Sequence, residues 1–142
     1  MRYAKGEFMN SPHEHALALL ARARDDLYVV RRLRDDPDAP AWVIGFHAQQ
    51  GVEKALKAVL SRSEVAYPRT HNLVMLAELL RRVSQPLPPD AECFGPLVPF
   101  GVVLRYENAL DDDSPSLDPV WSEAVVARTI AWAVERLDEK RC

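Results

Sequence analysis

Cysteine is scarce in this chain of 142 residues, with only Cys93 and Cys142. Two cysteines at that distance form no spaced framework, which excludes a disulfide-stapled scaffold and a cysteine-based zinc site. No apolar run approaches the ~18–20 residues of a membrane span, and the start, MRYAKGEFMN, has no apolar core of signal-peptide length. The expectation is a cytoplasmic protein without membrane association. Glycine is also rare, and none of it forms a phosphate-cradling loop. There is no internal repeat, no low-complexity tract and no His-x-x-x-His pair. An excess of positive charge is missing too, since the net charge is −3, so the chain has no general footprint of nucleic-acid binding.

What remains is an ordinary globular composition, 48% hydrophobic and 27% charged, in a chain long enough for one core. We expect a single domain over 1–142, with its bundle at about 11–138. The charge is uneven: residues 1–85 carry +3 and residues 86–142 carry −6. A fold that gathered Arg22, Arg24, Arg31, Arg32, Arg34, Lys54, Lys57, Arg81 and Arg82 would have a basic face. Solvated helix surfaces give the same pattern.

Helix signals run along the chain without a competing strand signal. Ser11-Pro12-His13-Glu14 is a capping box with proline at the first helical position. The helix it opens carries Ala16, Leu20, Ala23, Leu27 and Val30, and ends at the Asp-Pro-Asp-Ala-Pro turn, 36–40. A second helix is predicted from about Ala41 to Arg62. Thr70 is the predicted cap of a third, through about Val83. Residues 90–107 are apolar but broken by Gly95, Pro96, Pro99 and Gly101, which predicts one or two short helical pieces. Asp118-Pro119 opens a last helix to about Leu137. The fold class is therefore all-α, an antiparallel up-and-down four-helix bundle with a short extra helix.

The second helix poses the central question. Trp42, Phe46, Val52, Leu56, Val59 and Leu60 fall on one apolar face, and Gln49 and Glu53 fall near its middle. His47, Gln50, Lys54 and Lys57 make a polar stripe opposite. A buried carboxylate needs a partner. The expected one is Arg105 or His71, in a network that either serves a ligand or only fixes helix register. Lys54 and Lys57 lie one turn apart, a spacing suited to adjacent phosphates and equally to a solvated face.

The last helix has two apolar stripes. Besides Val120, Ala124, Ala127, Ile130, Ala131, Val134 and Leu137, it carries Trp121, Val125 and Trp132 on another side. Either this second stripe lies under the irregular 90–107 segment, or it anchors a homodimer interface through its tryptophans.

FHAQQGVEKALKAVL, Phe46 to Leu60, together with Pro68-Arg69-Thr70-His71-Asn72-Leu73 and Arg105-Tyr106, resembles the HEPN family over roughly Ser11 to Leu137. The family elements are matched by Ala48, Gln49, Gln50, Glu53, Lys54 and Lys57. The resemblance implies a helical bundle, usually dimeric, that binds nucleotide or RNA. Many members act with a small nucleotidyltransferase protein, often as a toxin–antitoxin pair. The implied ligand-binding residues are Gln50, Glu53, Lys54, Lys57, Arg105 and Tyr106, with no cofactor and no metal.

Other members are metal-independent ribonucleases that use an arginine and a histidine separated by four to six residues. Here no histidine stands at that distance after an arginine, and Glu107 replaces the proline that follows Arg-Tyr in the family. The expectation leans away from an enzyme. The alternatives are an endoribonuclease with an atypical Arg105–His71 site, or a helical protein–protein adaptor. Asp111-Asp112-Asp113 reads as a solvated loop, because three consecutive carboxylates cannot converge on one cation. His13 and His15 read as local groups in a first helical turn.

Overall fold

The computed structural model of the protein describes residues 11–101 and 116–141. The described residues contain four α-helices: α1, Pro12–Leu33; α2, Ala41–Arg62; α3, Leu73–Arg82; and α4, Pro119–Arg141. Two 3₁₀ segments, Ala91–Cys93 and Gly95–Phe100, stand in the place expected for short helical pieces. Among the described residues no helix is long and apolar enough to cross a membrane. Arg105, Tyr106 and the Asp111–Asp113 run lie outside the described residues.

Local chemistry sets the helix ends. The Ser11 side chain accepts from Glu14 N, and the Glu14 carboxylate accepts in return from Ser11 N, closing the capping box. Asp118 accepts from Val120 N and Trp121 N and starts α4. The third helix differs from expectation: its cap is Asn72, whose Oδ1 accepts from Val74 N and Met75 N. Thr70 instead accepts from Asn72 N and shapes the turn before it. Both residue types cap well, and the later one wins because its oxygen reaches the first turn of Leu73–Arg82.

α2 and α3 end alike. Val65 N returns to Leu60 O at 2.9 Å, and Gln85 N to Leu80 O at 3.0 Å, the signature of a Schellman cap. The left-handed residues that this cap needs are not glycines but Glu64 and Ser84, each at φ 58°.

α2 is the central element. It packs against α1, α4, α3 and the longer 3₁₀ segment, so it is buried over most of its circumference. Trp42 is an exception to the expected buried face, at 36% exposure. Small residues supply many of the other buried positions, among them Gly45, Ala48, Gly51, Ala55 and Ala58. A Cβ on Gly45 would run into the Phe100 ring, and one on Gly51 would lie 2.8 Å from Val126 Cγ1. Glycine is required there by close approach of neighbours, one from the 3₁₀ segment and one from α4.

The second stripe of α4 is consumed within the chain. Val125 and Trp132 are buried, at 0% and 7% exposure, and Trp132 Nε1 donates to the Pro86 carbonyl at 3.1 Å. Trp121 is half-buried against the same core. Pro86, in the Pro-rich connector after α3, meets Trp132, and within the single chain Val125 and Trp132 are core side chains.

Candidate functional site

Glu53 projects from α2 toward the segment that leads into α3, and it is 4% exposed. One carboxylate oxygen, Oε1, meets His71 Nδ1 at 2.9 Å and accepts from Gln49 Nε2 at 3.0 Å. The other, Oε2, accepts from Lys57 Nζ at 2.8 Å, one helical turn along. Gln49 Nε2 also donates to the His71 carbonyl at 2.7 Å, so one amide ties both the carboxylate and the backbone that carries the imidazole. Gln50 Nε2 donates to Gln49 Oε1 at 2.8 Å and lies 3.3 Å from Glu53 Oε1. Gly101 closes the site, where a Cβ would press at 3.3 Å on both the Gln49 amide and His71 Cβ.

Two effects oppose each other at the Glu53 carboxyl. Burial pushes its pKa up, as the largest single influence, while Lys57, His71 and Gln49 pull it down. The stabilising partners win together, and the group stays below the ordinary carboxylate value. Glu53 is therefore an anion in the interior. The His71 side chain, at 52% exposure, carries the network to the surface.

The polar stripe, which adjoins Glu53, is not a free row of cations. Lys57 is held by Glu53, and its ammonium lies 5.5 Å from the centroid of the Tyr67 ring. Lys54 Nζ donates to Asp26 Oδ2 at 2.7 Å, and His47 Nδ1 meets Asp26 Oδ1 at 2.9 Å. Asp26 comes from α1 and is buried at 6% exposure. Its sequence signal is of the same kind as that of Glu53: a carboxylate beside an apolar stripe, here Ala23, Leu27 and Val30.

Four of the other basic residues are engaged by carboxylates. Arg31 and Arg34 both bind Glu123 on α4, at 2.9 and 2.6 Å. Arg81 lies near Glu78 and Glu92, and Arg82 near Glu78. They balance local carboxylates on separate surfaces. Of the expected ligand-binding set, the structure brings Gln50, Glu53 and Lys57 together with His71. Lys54 stands one turn away, in the Asp26 cluster. Among the described residues no group of three or more His, Cys, Asp or Glu side chains is arranged to hold a metal ion.

This cluster stands on the segments that carry the sequence resemblance, inside a bundle of the expected class. A family model, the HEPN domain, matches residues 16–135. The chain belongs to the HEPN family. No curated protein and no solved structure matches it. In this HEPN domain the glutamines, glutamate and second lysine of α2 are one hydrogen-bonded unit with the histidine before α3. That unit accounts for their spacing: positions 49, 50, 53 and 57 fall on one side of a helix.

Proposed function

We propose that this HEPN protein is a binding module for a nucleotide or RNA phosphate, acting with a small nucleotidyltransferase in a toxin–antitoxin-like pair. The observation that carries the binding reading is the Glu53 cluster. A buried, ionised carboxylate fixes one imidazole and one ammonium, and among the described residues neither pairs with a carboxylate other than Glu53. His71 Nε2 has no hydrogen bond among the described residues, and Lys57 has N–H groups to spare. Both are suited to charge-assisted bonds to phosphate oxygens. The proposed contacts are Gln50, Lys57 and His71, held by Glu53; Arg105 and Tyr106 belong to the proposed set on family resemblance alone. The partner protein rests on family resemblance. A homodimer remains part of the proposal, with its interface away from Val125 and Trp132.

The test is titration of a nucleoside monophosphate and a short single-stranded RNA by calorimetry, against the unchanged protein and a Glu53→Gln/Lys57→Met variant. Binding to the first and not the second is expected. Equal heats for both, or none for either, would remove the site. Co-purification with the product of an adjacent nucleotidyltransferase reading frame tests the partner.

One feature favours a second reading, metal-independent ribonuclease activity. Glu53 orients His71 through Nδ1 and leaves Nε2 at the surface, as a general base requires. What is missing among the described residues is a cation to stabilise the phosphorane beyond Lys57. We rank it second. Intact RNA after incubation in EDTA supports that order, and cleavage lost in His71→Gln reverses it.

A further inference from the structure

Two clusters on α2 are built to one plan. At Glu53, His71 Nδ1 takes one carboxylate oxygen at 2.9 Å and Lys57 Nζ the other at 2.8 Å. At Asp26, His47 Nδ1 takes one oxygen at 2.9 Å and Lys54 Nζ the other at 2.7 Å. Both carboxylates are buried, and both imidazoles reach solvent. Lys54 and Lys57 are three residues apart, ~4.5 Å along the helix axis. Gln50, half-buried, stands between the clusters on the same side of the helix.

A buried carboxylate needs both oxygens satisfied, and Asp26 meets that need with one imidazole and one ammonium. Asp26 holds two donors, and neither is spent on it: His47 Nε2 has no hydrogen bond among the described residues, and the Lys54 ammonium keeps N–H groups free. We propose that Asp26, His47 and Lys54 form a second anion subsite, which takes another phosphate of the ligand bound at the Glu53 cluster. The ligand therefore carries at least two phosphate groups. This inference rests on the reading of the Glu53 cluster as a phosphate site.

The chemistry follows from orientation. His47 Nδ1 faces Asp26, so the ring turns Nε2 outward, and a ring that carries protons on both nitrogens donates from that atom. The ammonium adds a second donor. Both Asp26 oxygens are engaged by these two groups. Donors fixed before binding lose little freedom when the phosphate arrives. Two such subsites on one helix face form a track for consecutive phosphates, from either a nucleoside triphosphate or an RNA backbone.

The experiment is calorimetric titration of adenosine monophosphate, adenosine triphosphate and a ten-nucleotide single-stranded RNA at one salt concentration. With the unchanged protein, at least one of the two multi-phosphate ligands is expected to bind roughly tenfold tighter than the monophosphate, the worth of a charge-assisted contact. The charge-balanced Asp26→Asn/Lys54→Met variant should lose that advantage and keep its affinity for the monophosphate. His47→Gln, which leaves the Asp26–Lys54 pair in place, should lose part of it and guards against a folding defect in the double variant. A triphosphate advantage alone assigns the track to free nucleotide, and an RNA advantage alone assigns it to a nucleic-acid backbone. Equal affinity for all three ligands, or an advantage untouched in both variants, overturns the second subsite and leaves the first standing. No binding of any ligand overturns both.

Discussion

Glu53 and His71, 18 residues apart in sequence, are joined at 2.9 Å through one carboxylate oxygen and one ring nitrogen. Their pairing locks the approach to α3 onto the middle of α2, and Gln49 doubles the lock through the His71 carbonyl. The relationship has consequences for stability as well as for binding.

Removing the cation should hurt more than removing the pair. Lys57→Met leaves Glu53 buried with only neutral donors and His71, and is expected to cost about 3 kcal/mol. Glu53→Gln/Lys57→Met removes the charge with its partner and should recover at least half of that. Urea denaturation of the two variants and the parent measures both. A double variant no more stable than the single one would contradict the account.

Acid should weaken the fold through the same group. The folded-state pKa of Glu53 lies below its ordinary value, so the unfolded chain binds the proton more readily. Its contribution is present above the unfolded carboxyl value of about 4.3 and is lost as pH falls through the lower, folded value. Glu123, lowered by its Arg31 and Arg34 partners despite some burial, acts with the same sign. Urea midpoints measured between about pH 6 and pH 3 should fall less steeply in Glu53→Gln than in the parent. Parallel profiles would show that Glu53 does not titrate as described.

The left-handed caps offer a gain. Ser84 stands at φ 58°, where a side chain costs about 1 kcal/mol relative to glycine. Ser84→Gly should raise stability by roughly 0.5–1 kcal/mol, with no change in helix content by circular dichroism. A loss of stability would mean that the serine side chain matters more than its backbone.

Gly45 should tolerate nothing larger. Gly45→Ala drives a methyl into the Phe100 ring, and the expected cost is about 1–3 kcal/mol from overpacking. Combining it with Phe100→Leu should be less harmful than adding the two single effects, because the clash is shared. Thermal melts of the four proteins in the cycle give the coupling directly.

Trp132 tests the assignment of the α4 stripe to the core. Trp132→Ala should destabilise the folded chain by about 3–5 kcal/mol, in line with loss of a buried indole. That loss should be the same at low and high protein concentration. A penalty that shrinks on dilution would mark Trp132 as an interface residue after all.

Much of this protein was legible in one dimension because the physics there is local. Helix starts at Ser11 and Asp118 are set by side chains bonding to backbone N–H groups two or three residues away. The apolar spacing of Leu20, Leu27, Leu76 and Leu80 fixes which sides are buried. Sequence also marked Glu53 as anomalous, since a carboxylate on an apolar face must find a partner. It could not choose between His71 and Arg105, because that choice depends on how the chain returns after α2. Nor could it show that Lys54 and His47 share Asp26, which requires α1 to lie against α2 at that level. Trp132 fell to the core for a similar reason. The Pro86 carbonyl that receives its indole N–H lies 46 residues away, and only packing decides whether a stripe is covered by its own chain or by another.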